Sequence, residues 1–309
     1  MSVKPKTRAP RNRTLTIEPS ERDLLGSKLI RADRLKPSDR NKVAHGRFED
    51  ALRGIENASV DLLFLDPPYN LDKNFSGWKF HSRTIDQYGV YLHLIIAELL
   101  PKLKPTATVY ICGDWKSSLS IPGAVSPPLT IRNRITWERE KGRGSLSNWK
   151  NCSEDIWFCT VSNRYIFHPE RVRLRRRVLA PYRDAKGRPK DWKSDEKGTF
   201  RDTAPSNLWN DITIPFWSMP ENTIHPTQKS EKLLAKLILA SSEEGSLVLD
   251  PFLGSGTTAV VSKKLGRKFI GIDLNREYCL LAQKRLDQTR SGDTIQGITE
   301  GIFLERNSR

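Results

Sequence analysis

Cysteine is scarce in this sequence. Four occur in 309 residues, Cys112, Cys152, Cys159 and Cys279, and no two form a CxxC pair. That spacing offers neither a paired-thiolate zinc site nor a disulfide framework. No run of 18 or more apolar residues occurs, which excludes a membrane-spanning helix. The opening MSVKPKTRAPRNRT is basic but lacks the apolar centre of a secretory signal. These absences lead to the expectation of a reduced, cytoplasmic protein with no metal and no membrane partner.

Positive charge, by contrast, is abundant. The chain has 52 Lys and Arg against 36 Asp and Glu, a net charge of +16. Residues 1–43 hold 12 basic against 5 acidic side chains, residues 164–201 hold 13 against 5, and the remainder is nearly balanced. Two basic blocks imply a polyanion partner, although a solvated tail and loop carry the same charge signature. The second block, RVRLRRRVLAPYRDAKGRPKDWK, interleaves Tyr182, Trp192 and prolines with its charges, which favours a contact surface. Nucleic acid ranks first as its partner, an acidic protein second and a membrane surface third. Arg171, Arg173, Arg175, Arg176 and Arg177 are its candidate contacts, to phosphates or to guanine edges.

Residues 1–41 lack sustained periodicity and read as a basic extension, partly disordered, with a short ordered piece at RDLLGSKLI. Beyond them KVAHG reads as a strand and FEDALRGI as a short helix. VDLLFL (60–65) suits a strand buried on both faces. A helix is expected over 91–103 and strands over 106–113, 131–138 and 154–161. Residues 164–222 lose this rhythm and read as an irregular insertion. A helix over 226–242 follows, with Pro226 in its first turn. SLVLD, the loop PFLGSG, the helix TTAVVSKKLG, the strand KFIGIDL and a last helix then make a βαβα unit.

Two stretches carry chemistry. In LVLDPFLGSGTTAVVSKKLGRKFIGIDL, a strand ends at Asp250, a loop with Gly254 and Gly256 turns into a helix, and the next strand ends at Asp273. This is the pattern of a mononucleotide-binding half. The glycines let backbone approach a ligand, and the helix N-terminus offers free N–H groups. GSG is not GxGxxG, and no lysine follows as in a phosphate-cradling loop. S-adenosylmethionine, with a ribose and a carboxylate but no phosphate, fits better than a dinucleotide or ATP. The plainer alternative is a glycine turn that serves packing alone; an acid at each strand end argues against it. The other stretch, LLFLDPPYNL (62–71), puts Asp66, Pro67, Pro68 and Tyr69 directly after a strand. Alone it is a strand-ending turn.

Together, LDPPYN and DPFLGSGTT resemble the two signature motifs of the DNA amino-methyltransferases, which modify exocyclic amines of DNA bases. With the DPPY element first and the glycine loop last, the chain is similar to the β group of that family. HPTQKSEKLLAKLI (225–238) resembles the segment before the glycine loop. RITWEREKGRGS with NWKNCSEDIWF resembles the segment leading to target recognition. The likeness spans about residues 42–290. It implies an α/β, circularly permuted Rossmann-like methyltransferase fold, mostly parallel, with helices on both faces. The catalytic domain would be 42–163 with 223–309, and 164–222 a small target-recognition insertion.

The resemblance implies S-adenosylmethionine as methyl donor, held by Asp250, Phe252, Gly254, Ser255, Gly256, Thr257, Thr258 and Asp273. His225, Thr227 and Lys229 would lie near the cofactor's methionine end. Asp66 and a carbonyl of the Pro67–Pro68 segment would accept the N–H bonds of an amine, and Tyr69 would stack on a base flipped out of the duplex. Trp137 would help line that pocket or pack in the core. A leading Asp is the family's adenine N6 type and a leading Ser its cytosine N4 type. The expected enzyme is thus a site-specific adenine N6 DNA methyltransferase of a restriction-modification system, with a restriction endonuclease as genetic partner and a homodimer left open. Cytosine N4, structured RNA and a catalytically silent DNA-binding module are the alternatives. Two positions depart from the family. Arg47 follows Gly46 where an acid is usual, so that role is vacant or falls to Glu49 or Asp50. Ser230 stands where proline is common.

Overall fold

The apolar runs form the middle of one sheet in the computed structural model, which describes residues 9–75, 78–139, 146–179, 182–196 and 198–306. In chain order the sheet's strands are β1 (Ile30–Arg31), β2 (Lys42–His45), β3 (Val60–Leu65), β4 (Leu103–Gly113), β5 (Thr130–Glu138), β6 (Ser153–Thr160), β7 (Leu208–Trp209), β8 (Leu247–Asp250) and β9 (Lys268–Asp273). Across the sheet they lie β1-β2-β9-β8-β3-β4-β6-β5-β7. Only β6 runs against its neighbours. Helices α1 (Arg22–Lys28), α2 (Phe48–Ala51), α3 (Ile85–Leu99), α4 (Ile121–Val125), α5 (Glu231–Ser241), α6 (Thr257–Lys264) and α7 (Arg276–Asp287) pack on it.

Successive side chains of a strand point to opposite faces, and β3 uses both. Leu63 and Leu65 join Tyr88, Leu92, Ile96 and Leu99 of α3. Leu62 and Phe64 join Leu233, Leu234, Leu237 and Ile238 of α5. Each such buried side chain contributes about 1.5–3 kcal/mol. β8 and β3 are parallel neighbours, yet their onward crossovers leave in opposite directions. From β3 the chain passes through α3 to β4, and from β8 through α6 to β9. Strands that part this way open a crevice at their carboxyl ends, where open α/β sheets bind ligands. The permuted order has its physical sense here: the closing βαβα unit fills the middle of the sheet, beside β3.

Several expectations shift. Helix α3 begins six residues before 91, because Thr84 and Gln87 form a reciprocal capping box. Helix α5 begins at Glu231, not at Pro226. Ser230 caps it by accepting the Leu233 N–H, and Gln228 laces the preceding turn to Thr223 and the Glu221 carbonyl. The insertion is not irregular throughout. Residues 174–177, 193–195 and 198–203 form a second sheet, completed by 298–299 and 302–304 from the chain's end. The extension also packs on the body from Arg13 onward. Arg13 and Leu15 donate backbone N–H groups to Trp217 and Asn222, Arg22 clasps Glu277 with both nitrogens, and β1 pairs with β2.

Candidate active site

The corner after β3 is held from several sides. The Tyr88 hydroxyl donates to the Pro68 carbonyl at 2.9 Å, the Asn70 N–H donates to Ser117 Oγ at 2.9 Å, and the Asn70 amide exchanges hydrogen bonds with the Arg83 backbone. Prolines fix φ and carry no N–H, so the corner is rigid and rich in acceptors. With the Pro68 carbonyl taken by Tyr88, the Pro67 carbonyl is the one left without a hydrogen-bond donor among the described residues. Asp66 Oδ2 accepts from Lys229 Nζ at 2.6 Å, and Oδ1 accepts the Tyr69 hydroxyl at 3.0 Å. Burial raises the Tyr69 phenol well above its usual range, which keeps it a donor.

A second Asp-Pro corner follows β8. Asp250 is buried and accepts the Phe252 N–H at 3.0 Å. Burial pushes its carboxyl up to about 7, against a hydrogen bond from Thr258. Gly254 has φ +56°, and a Cβ there would lie 3.0 Å from the His225 ring. Its N–H donates to Asp273 Oδ2 at 2.8 Å, and the Asn275 N–H donates to Oδ1 at 2.7 Å. Burial pushes Asp273 up to about 6. From behind, Arg285 donates to the Ser255 carbonyl and to Thr257 Oγ1, and the Thr257 hydroxyl donates to the Lys229 carbonyl. The loop and the HPTQK turn are thus laced together.

Between the two corners lies a cavity of about 810 Å³, within the range of small-molecule sites. It brings together Asp66, Pro67, Pro68, Tyr69, His225, Thr227, Lys229, Phe252, Gly254 and Asp273. Asp250, Ser255, Thr257 and Thr258 line an adjoining recess of about 30 Å³ that shares Asp66, His225, Thr227, Lys229, Phe252 and Gly254 with the cavity. Gly256 does not face the cavity: with φ +86°, its absent Cβ leaves room for Ala282 of α7, 2.6 Å away. Trp137 is a core residue, fully buried, its indole N–H donating to the Ile212 carbonyl at 3.0 Å. It shares a strand face with buried Ile135.

The basic block divides. Arg171 pairs with Glu243, and Arg175 clasps Asp202 while lying over the Phe200 ring. These two hold the insertion together and to the body. Arg173, Arg176 and Arg177 have no guanidinium partner among the described residues. At the departure near Gly46, Arg47 and Glu49 line the cavity and pair with each other at 2.8 Å, whereas Asp50 does not line it. Phe48, whose ring lies 5.6 Å from that of Phe252, and Tyr91 line it too. The sequence reading missed both, and missed Glu154, whose carboxylate lies 3.5 Å from Lys229. The alternation in SEDIWF puts Glu154 on the face of Ile156 and Phe158, so a signal for a buried acid was present.

A family model described as DNA methylase matches residues 60–284, most of the chain. The chain belongs to the DNA methylase family. The methylase is similar to the type II methyltransferase M.HpaI of Haemophilus parainfluenzae, at 34% identity over 245 residues that cover 78% of this chain and 73% of that protein. It is likewise similar to the DNA adenine methyltransferase YhdJ of Escherichia coli strain K12, at 35% over 256 residues, covering 79% and 82%. Among solved structures it resembles the cytosine-N4-specific PvuII DNA methyltransferase, with a TM-score of 0.61, 16% identity and coverage of 88% and 92%. The M1.HpyAVI complex with S-adenosylmethionine matches at a TM-score of 0.50 and 22% identity, covering 79% and 98%. At such identities these structures establish the fold. The methylase has the Rossmann-like fold of these enzymes, one of which is bound to S-adenosylmethionine. The cavity suits that group: a carboxylate stands at the tip of β9, aromatic rings line one wall, and the glycine loop carries no phosphate-binding lysine.

Proposed function

We propose that the methylase modifies the N6 amine of adenine in a short duplex sequence, as the modification enzyme of a restriction system and a member of the β group. The observation that carries this is the DPPY corner in the wall of the cavity that also holds Asp273 and the glycine loop. When bound, S-adenosylmethionine supplies an electrophilic methyl group on a sulfonium. Asp273 would take the ribose hydroxyls, Phe48 and Phe252 the adenine ring of the cofactor, and His225 and Thr227 its methionine end. Asp66 and the Pro67 carbonyl would accept the two N–H bonds of the target amine. That frees its lone pair from the ring and stabilises the positive charge that develops on nitrogen, which is electrostatic preorganisation.

The target base must leave the duplex to reach this corner. Stacking on Tyr69, worth about 1–3 kcal/mol per base, offsets part of the few kcal/mol that unstacking costs. Of the five candidate arginines, Arg173, Arg176 and Arg177 are the ones available for phosphate contacts. The fold does not choose the base, since a cytosine-N4-specific enzyme shares it. Asp66 at the head of the tetrapeptide and the similarity to a DNA adenine methyltransferase favour adenine. The test is methylation of duplex DNA with a tritiated donor, followed by digestion and identification of the labelled nucleoside. N6-methyl-2′-deoxyadenosine is expected; N4-methyl-2′-deoxycytidine, or preference for a competing structured RNA, would overturn the reading.

A further inference from the structure

The HPTQK turn aims its lysine at the catalytic carboxylate. Lys229 is 6% exposed, and its ammonium lies 2.6 Å from Asp66 Oδ2, 3.2 Å from the Tyr69 hydroxyl and 3.5 Å from Glu154 Oε2. Glu154 is 2% exposed and binds Arg139 through its other oxygen, Oε1. Its Oε2 is buried with no hydrogen-bond partner. A buried acceptor without a donor is costly. Here it stands one short step from an ammonium that already has a better partner.

Two facts make the arrangement unsuited to the reaction as it stands. Both oxygens of Asp66 already accept a hydrogen bond, from Lys229 and from Tyr69, so an incoming amine competes with them for the carboxylate. An ammonium bonded to Asp66 also opposes the positive charge that grows on the amine nitrogen, because like charges at such distances repel strongly in a low-dielectric site. Moving the ammonium by about the difference between a hydrogen bond and a 3.5 Å approach would satisfy Glu154 and leave Asp66 to the substrate. Charge stays balanced, with two carboxylates against Lys229 and Arg139 throughout.

We propose that Lys229 is a positioning residue that holds Asp66 in the substrate-free enzyme and passes to Glu154 when the target amine enters. This rests on the adenine-amine reading above. Glu154 is then a parking site, and its negative charge sets how readily Asp66 is released.

The test is a double-mutant cycle on single-turnover methylation. Glu154→Gln should pin Lys229 to Asp66 and lower the methylation rate about 100-fold, the lower end of what one preorganised electrostatic contact is worth. S-adenosylmethionine affinity and KM for DNA should stay within about threefold. Glu154→Asp, which keeps the charge on a shorter arm, should lose less. Adding Lys229→Met to Glu154→Gln should restore at least tenfold of the lost rate, since no ammonium then competes for Asp66. A merely structural Glu154 predicts losses that multiply, together with a lower melting temperature and weaker cofactor binding. Multiplying losses, or a wild-type rate in Glu154→Gln, overturn the proposal. The wild-type product, identified in the same assays, separates this outcome from failure of the adenine reading: N6-methyl-2′-deoxyadenosine keeps that reading whatever the variants do.

Discussion

Two Asp-Pro corners end adjacent parallel strands, and they meet different surroundings. LDPPYN follows β3 and LDPFLG follows β8, with Leu63 level with Leu249. Asp250 is therefore level with Phe64, and Asp66 stands two residues further out. That offset decides the roles. At sheet level, Asp250 is buried, binds its own loop and lines no part of the large cavity. Beyond the sheet edge, Asp66 reaches the cavity, where Lys229 and Tyr69 meet it. A second proline replaces the Phe of the other corner and removes a further N–H, leaving an acceptor surface. On the proposed reading the same dipeptide makes a clamp at one strand end and a staple at its neighbour.

The sharpest way to break this comparison is to change both acids. Asp66→Ala should reduce methylation by about a thousandfold while S-adenosylmethionine affinity, measured by calorimetry, stays within about threefold. Asp250→Asn should leave methylation within about tenfold, because burial already favours the uncharged carboxyl and the amide keeps its shape. An equal loss at both corners would refute the division of labour. Next comes Gly256→Ala. Its positive φ and the contact with Ala282 predict about 2–4 kcal/mol of lost stability, read as a lower melting temperature.

A subtler difference lies in pH. As the proposed ribose ligand, Asp273 accepts both hydroxyls best when ionised, and burial raises its pKa to about 6. Cofactor binding favours the charged form, so affinity should be level above that value and fall below it, by at most about tenfold per unit. Pro67, like any carbonyl, does not titrate. Constant affinity down to pH 5 would remove Asp273 from the ribose site. Smallest is Ser230→Ala. Losing that N-cap should cost about 1 kcal/mol with little change in turnover, so a large loss of activity would show that the turn before α5 is more delicate than its packing suggests.

Both corners were legible in the sequence because each is a short local signal, an apolar strand broken by Asp-Pro. The βαβα unit was legible for the same reason, and so was the insertion's basic character. What escaped depends on partners far along the chain. The Lys229–Asp66 contact spans 163 residues. The second sheet is completed by residues 298–304, which nothing local distinguishes from a tail. The extension's hold on α7 rests on ion pairs such as Arg22 with Glu277, invisible to periodicity. Other misses were readable. Thr84 with Gln87 is a capping box three residues apart, and strand parity places Trp137 with Ile135 in the core. The glycine loop shows a limit of another kind: Gly254 and Gly256 look alike in GSG, yet one faces the cavity and the other a neighbouring helix.

If the Asp66 corner directs a methyl group to the N6 nitrogen of adenine, that carbon and that nitrogen end bonded to each other. The most direct measurement joins the two atoms. DNA carrying 15N at the adenine exocyclic amine is methylated with a 13C-methyl donor, and the product nucleoside is examined by NMR. A one-bond 13C–15N coupling at N6 is the result this account predicts. A labelled methyl without that coupling, appearing instead on the N4 nitrogen of cytosine, would contradict it.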